Sequence, residues 1–297
     1  MSGRGVVVGF DGSRSGYAAA RWAAGEAQLR AVPLTICQVI GPTGGDSGQA
    51  ASGRTAPGGD VLGEAIALAQ RMAPGITVRG CIRPGHAADV LLQVADDCDL
   101  LVVGARAGSP QAGPGLGSVS AHTAARARVP VIVVRGDGNW AGSGIIVGID
   151  DSPTAEAAAG FAFGEAALRR VPLTAVMSCW VPPVPPADSA ALLIAQTRHH
   201  HQGHHETYAE EMTRIAENRI KQVLGLWQGV YPDVSLHSAL VTGAPHKALC
   251  EAASAAGLLV VGSRGLGPVR RTLLGSVSQS VLRHAPCPVA VVPPASD

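Results

Sequence analysis

The segment Gly262-Ser263-Arg264-Gly265-Leu266-Gly267-Pro268-Val269-Arg270-Arg271-Thr272-Leu273-Leu274-Gly275-Ser276 holds the residue types best suited to gripping an anion. Glycine turns the backbone through positive φ at no steric cost and lets it approach a ligand closely. Consecutive backbone N–H groups can then cradle a phosphate, and a helix opening at Gly275-Ser276 would aim its N-terminal N–H groups at the same ligand. Ser276 would add a hydroxyl donor. Arg264, Arg270 and Arg271 could neutralise phosphate charge, or be ordinary surface arginines. A plain strand-to-helix connection also uses glycine to turn, so the spacing alone leaves both roles open.

Competing chemistries find less support. The chain has two lysines, Lys221 and Lys247, and neither follows a glycine-rich turn, so there is no Walker A loop. No Gly-x-Ser-x-Gly elbow occurs, which leaves an α/β-hydrolase without its nucleophile. His201-Gln202-Gly203-His204 has the His-x-Gly-His form of nucleotidyl transferases, but that motif would have to follow the first strand of its domain. Thr43-Gly44-Gly45-Asp46-Ser47 lacks the spacing of a pyrophosphatase-type loop. His199, His200, His201, His204 and His205 would supply i, i+4 pairs if helical. No cysteine or carboxylate arrangement completes a metal site there, so no metal is assigned. The cluster reads as a polar helix start or a pH-sensitive surface. Glu206, Glu210, Glu211 and Glu217 read as an exposed face rather than a catalytic set.

The elements that must position the loop are repeated. Gly9-Phe10-Asp11-Gly12-Ser13 returns as Gly148-Ile149-Asp150-Asp151-Ser152, and Val32-Pro33-Leu34-Thr35 as Val171-Pro172-Leu173-Thr174, both at an offset of 139. Leu101-Val102-Val103-Gly104 matches Leu259-Val260-Val261-Gly262, and Gly117-Ser118-Val119-Ser120 matches Gly275-Ser276-Val277-Ser278, now at 158. The second copy therefore carries 19 extra residues between its second and third strands. Residues 136–144 are linker-like, which sets domains at 1–137 and 143–297. Residues 41–60 are glycine-rich without periodicity and are expected to be a mobile loop.

Within the first copy, β-branched runs predict strands at Gly5–Phe10, Leu34–Ile40, Thr77–Ile82, Leu100–Gly104 and Pro130–Val134. In the second they fall at Ile145–Asp150, Leu173–Cys179, Val234–Leu240, Leu258–Gly262 and Pro288–Val292. Runs such as Leu-Leu-Val-Val do not alternate, as expected of strands buried on both faces of a parallel sheet. Helical stretches separate them; Met212, Ile215, Val223, Leu224 and Trp227 recur at helical spacing. The fold class is α/β, with two tandem doubly wound five-stranded parallel-sheet domains of Rossmann-like form. Ligands are expected at the carboxyl ends of the strands near the switch point.

Composition narrows the rest. The 297 residues are 46% hydrophobic with formal charge +1 spread evenly, so no basic block exists to follow a nucleic-acid backbone. Only 3% are aromatic, which leaves Ala, Val, Leu and Ile to build the core. No leader-like segment or membrane-length apolar run occurs, and the six cysteines form no Cys-x-x-Cys pair. The cysteines are expected to be reduced and mostly buried, and the protein to be cytoplasmic without membrane insertion.

Gly262-x2-Gly265-x9-Gly275-Ser276 resembles, with no departure in spacing, the nucleotide-binding signature of the ATP-binding universal stress proteins. The resemblance covers both copies, as in tandem-domain members. It implies that Gly148 and Asp150 meet adenine, while Gly262, Ser263, Arg264, Gly265, Gly267, Gly275, Ser276, Val277 and Ser278 line the ribose and phosphates. In the first copy it implies that Gly9, Asp11 and Val39 meet the base, and that Gly104, Ala107, Gly108, Gly117, Ser118 and Val119 line the phosphates. Ala107 stands where the signature has its middle glycine. If that backbone needs positive φ, alanine costs roughly 1–2 kcal/mol, about tenfold or more in affinity. The resemblance further implies pairing of the copies through Val131–Val134 and Val289–Val292. Its implied function is ATP binding, with or without Mg, in a stress or growth response through a protein partner, with little hydrolysis because no general base is evident. Beyond that internal pair, a homodimer of the whole chain is left open. The alternatives are a slow ATPase or phosphotransferase, and a nucleotide-free interaction scaffold.

Overall fold

Short runs of Val, Leu and Ile fit a sheet buried on both faces, and they form its strands. In the computed structural model, which describes residues 4–41, 60–105, 115–136, 144–150, 152–179, 208–264 and 274–295, ten strands occur. They are β1 (Val6–Phe10), β2 (Leu34–Ile40), β3 (Val78–Pro84), β4 (Leu100–Gly104), β5 (Val131–Val134), β6 (Ile145–Gly148), β7 (Leu173–Cys179), β8 (Leu236–Thr242), β9 (Leu258–Gly262) and β10 (Val289–Val292). The α-helices among the described residues are α1 (Arg14–Arg30), α2 (Val61–Met72), α3 (Ala87–Ala95), α4 (Ser118–Arg126), α5 (Pro153–Arg169), α6 (Tyr208–Val230), α7 (Pro245–Ala252) and α8 (Ser276–His284). The segments 42–59 and 137–143, and the histidine cluster at 199–205, lie outside the described residues.

The strands make one sheet in the order β3-β2-β1-β4-β5-β10-β9-β6-β7-β8. Every neighbouring pair is parallel except β5 with β10, where Val133 faces Val289 and Val131 faces Val291. Each copy thus contributes a five-stranded half, and the two last strands join them as the resemblance implies. β3 and β8 lie one or two residues further along than the sequence pattern indicates. Their registers run on until Pro84 meets Ile40 and Thr242 meets Cys179, because these exposed edge strands are set by their partners rather than by their own apolar residues.

Helices cover both faces. Val6, Val8 and Phe10 of β1 and Ile145 and Val147 of β6 pack against α1, α2, α5 and α6. Val7, Val103, Ile146 and Val261 pack on the opposite face against α3, α4, α7 and α8. Buried alanines, among them Ala19, Ala23 and Ala27 in α1 and Ala158, Ala162 and Ala166 in α5, let helix and sheet approach closely where aromatics are scarce. Both helices stop on a left-handed residue, Ala31 at φ 54° and Arg170 at φ 55°. The next N–H then turns back, Val32 to the Ala27 carbonyl at 3.0 Å and Val171 to Ala166 at 3.1 Å. The repeated Val-Pro-Leu-Thr is therefore a helix stop followed by the first residues of β2 and β7. In α6 the inward stripe is Ala216, Ile220 and Leu224, flanked by Val223 and Trp227. Ile215, expected inside, is 45% exposed because it lies about 100° round the helix from Ala216.

The halves are also joined by charge. Glu26 and Glu165 are buried, and each accepts from both Arg30 and Arg169, within its own helix and across to the other. The Arg169 guanidinium lies 5.6 Å from the Trp22 ring centre and that of Arg30 5.9 Å from Phe161. Burial, reinforced by neighbouring Glu26, pushes Glu165 up to about 7 against the pull of the two arginines. Arg135 extends from the first half to donate to the Leu282 and Arg283 carbonyls at the end of α8, both at 2.8 Å. Among the described residues no helix is long and apolar enough to cross a membrane.

Candidate functional site

Each half brings together, at the carboxyl ends of its strands, the turn after its first strand and the connection from its fourth strand to the following helix. In the second half the Asp150 carboxylate accepts from the Ser152 N–H at 3.0 Å and from the Ser152 hydroxyl. The hydroxyl oxygens of Ser152 and Thr154 lie 3.0 Å apart, and Thr154 donates to the Arg264 carbonyl. Hydroxyl-bearing side chains thus tie the acidic residue after β6 to the start of the glycine-rich connection.

That connection closes on itself. The Gly275 N–H donates to the Ser263 carbonyl at 3.0 Å, so the chain leaves β9 and returns to α8 at one point. Ser263 is itself pinned through its N–H to Val292 at 2.8 Å. Ser278, buried in the first turn of α8, donates to the carbonyls of Ser263 (3.3 Å) and Gly275 (3.1 Å). Its hydroxyl staples the two ends of the loop together and is turned away from the exposed rim. Ser276 is exposed there, and Val277 packs its side chain inward, leaving backbone N–H to the rim. Gly275 caps α8 without a side-chain bond, so among the described residues no side-chain oxygen caps its first N–H groups, which carry the helix's positive end.

Gly262 is required by contact. A Cβ there would lie 2.5 Å from the Thr154 hydroxyl oxygen and 2.9 Å from the Thr154 Cβ. Gly9 and Gly148, read from sequence as facing the base, are packing glycines as well. Their absent Cβ atoms would point at Leu91 Cδ1 (2.7 Å) and Leu249 Cδ1 (3.0 Å), from the helices behind the strands.

The first half repeats this plan with differences. Asp11 is exposed and accepts from the Ser13 N–H at 3.0 Å and from its hydroxyl. Here Ser13 also caps α1 by accepting from Gly16 N–H at 3.0 Å, a bond its counterpart Ser152 does not make to α5. Gly104 meets backbone: its Cβ would sit 2.8 Å from the Ser15 carbonyl oxygen. Gly117 closes the connection onto Ala105 at 2.7 Å, and buried Ser120 donates to Gly104 at 2.6 Å. Ser118 is exposed and Val119 packs inward at the uncapped start of α4. Val39, near the end of β2, is half-buried against the core. Ala107, Gly108, Gly265 and Gly267 lie outside the described residues.

The sequence reading missed Ser152, Thr154 and Ser178. Ser178 occupies the position of Val39 in the second half and donates to the Gly243 carbonyl at 2.6 Å. Gly243 (φ 124°) and Gly85 (φ 135°) turn the chain out of β8 and β3 beside it. The signals were present: Ser13-x-Ser15 aligns with Ser152-x-Thr154 at the first offset, and Gly85 with Gly243 at the second. Among the described residues no group of three or more His, Cys, Asp or Glu is placed to hold a metal.

The universal stress protein family matches this chain twice, over residues 4–135 and 144–293. The chain belongs to the universal stress protein family. A universal stress protein of Mycolicibacterium smegmatis is 33% identical, with 98% of this chain and 97% of that protein aligned. One of Mycobacterium tuberculosis, Rv2005c, is 31% identical over 97% and 96%. The crystal structure of a universal stress protein from Archaeoglobus fulgidus DSM 4304 superposes with a TM-score of 0.68, covering 99% of this chain and 98% of that one at 21% identity. That structure shares the fold.

Proposed function

We propose that this universal stress protein binds ATP at the carboxyl edge of its second half and acts as a regulator of a stress or growth response, with nucleotide occupancy as its signal. The observation that carries the reading is the closed connection between Ser263 and Gly275. It begins at a glycine pressed against Thr154 and ends at a helix start with no side-chain cap. Backbone donors at such a helix start favour phosphate. Gly262, Ser263, Arg264, Gly265, Gly267, Gly275, Ser276 and Val277 are assigned to the ribose-phosphate side, with Ser278 holding the connection in shape. Asp150 and the backbone at Gly148 are assigned to the base. Asp150 already accepts from Ser152, so it fits recognition better than proton abstraction, and turnover is expected to be slow. The first half is a second, weaker site built on Gly9, Asp11, Val39, Gly104, Ala107, Gly108, Gly117, Ser118 and Val119.

The test is the nucleotide content of purified protein after ATP loading and desalting, by acid release and chromatography. Close to one ATP per chain supports one strong and one weak site, and close to two supports both halves. Asp150→Ala should lower ATP retention in the second half. Absence of nucleotide after loading, with the fold intact, overturns the reading.

A further inference from the structure

Cys37 and Cys81 are register partners on the adjacent parallel strands β2 and β3. Neighbouring strands lie about 4.8 Å apart, within the Cα separation of about 4.4–6.8 Å that disulfides span. The Cys81 thiol is near enough to Cys37 to disfavour its ionisation. Both are free, Cys37 fully buried and Cys81 partly exposed. Thr35 and Arg83, which share their sheet face by the alternation of the strands, line an open groove of about 460 Å³ beneath Val90 and Gln93 of α3. Cys98 also lines the groove, which reaches β3 at Arg83, two residues beyond the partly exposed Cys81. The second half has no counterpart: the corresponding register pair is Val176 with Ala239.

We infer that Cys37 and Cys81 are a redox modification site, a dithiol that closes to a cross-strand disulfide by exchange with a small-molecule disulfide. Cys81, the accessible partner, attacks as thiolate on one sulfur of the reagent, and one reagent thiolate leaves. Cys37 then gives up its proton to solvent and attacks the Cys81 Sγ, forming the Cys37–Cys81 bond and expelling the second reagent thiol. The protein loses two protons and two electrons, and the reagent disulfide is reduced to two thiols. Burial, and then the neighbouring Cys81 thiol, push Cys37 up to about 12. The closing step is therefore slower than the first exchange, and the pair stays reduced without an oxidant. The other buried thiols are placed differently. Cys98 donates to the Leu100 carbonyl at 3.2 Å, while Cys250 lies in helix α7 and Cys287 in the connection before β10, so neither stands on a paired strand.

The experiment incubates the reduced full-length protein with excess glutathione disulfide, blocks remaining thiols with N-ethylmaleimide under denaturing conditions, and maps peptides by mass spectrometry. The expected result is a product lighter by two hydrogens, with two thiols fewer to block and a peptide linking Cys37 to Cys81. It should be reversed by dithiothreitol, abolished by Cys81→Ala and retained by Cys98→Ala. The wild-type map decides the matter even if a variant fails to fold. Six blockable thiols after prolonged incubation, a stable glutathione adduct on Cys81 with no link, or a link between other cysteines in its place would each overturn the inference.

Discussion

Replacing Gly262 by alanine tests whether the site glycine is there for its contact with α5. The new Cβ would stand 2.5 Å from the Thr154 hydroxyl oxygen, 2.9 Å from the Thr154 Cβ and 3.2 Å from the Arg264 carbonyl oxygen. The hydroxyl can rotate away, but the Cβ is fixed to the helix, so α5 or β9 must shift. Overpacking of this kind costs about 1–3 kcal/mol. Rotating the hydroxyl adds the loss of its bond to Arg264, about 1 kcal/mol. Urea denaturation should therefore place Gly262→Ala about 2–4 kcal/mol below wild type, the sum of those two ranges. In a Thr154→Ala background the closest contact and the hydrogen bond are already gone, so the same substitution should cost about 1 kcal/mol less, a coupling readable from a double-mutant cycle. Gly104 supplies the control. Its Cβ would lie 2.8 Å from the Ser15 carbonyl oxygen and 2.9 Å from the Ser15 carbonyl carbon. Both are backbone atoms, so Ser15→Ala should relieve much less of the cost. Gly262→Ala within about 0.5 kcal/mol of wild type, or equal coupling in the two cycles, would refute the packing argument.

Ser278→Ala removes the staple between Ser263 and Gly275 and should cost about 1–2 kcal/mol in denaturant unfolding, with faster amide exchange at Gly275; unchanged exchange there would show that the staple does not hold the loop. At the interface, Glu165 holds its proton more tightly folded than unfolded, so its contribution is complete below pH 4.5 and is lost as pH rises through about 7. That gap corresponds to at most about 3 kcal/mol. Wild type should therefore lose stability relative to Glu165→Gln between pH 5 and 8. A difference that stays flat or reverses sign would mean that the arginine pairs outweigh desolvation.

Four strands could be read from the sequence to the residue, and two of them, Leu100–Gly104 and Leu258–Gly262, are continuous apolar runs ended by glycine. The edge strands could not, since residues such as Arg79, Arg83 and His237 carry little apolar signal and their limits come from hydrogen bonding to β2 and β7. At the site, the glycines stood out while their reasons did not. Gly148 and Gly262 look alike as small residues near a turn, yet one makes room for a leucine behind the sheet and the other for a threonine at the helix start. Hydroxyl groups such as Thr154 left only a repeated Ser-x-Ser/Thr in the sequence, with no sign of what they bind. A threonine two residues into a helix is ordinary until the loop carbonyl that it binds, 110 residues later, is brought beside it.

The duplication that made the fold readable also concealed a charged cross-link between its halves. Glu26 with Arg30 and Glu165 with Arg169 are each spaced i, i+4, the mark of an exposed helical ion pair worth a few tenths of a kcal/mol. Each is complete within its own helix, so neither asks for a partner. Only the antiparallel joining of β5 to β10 sets α1 against α5 and buries the two pairs on one another. Once buried, each carboxylate needs both arginines, and removing one arginine strands two acids rather than one. The charge cluster is therefore a property of the joined halves that neither half shows alone. Arg135 makes the interface directional as well, since its counterpart position in the second half is Pro293, which has no guanidinium to offer α4 in return.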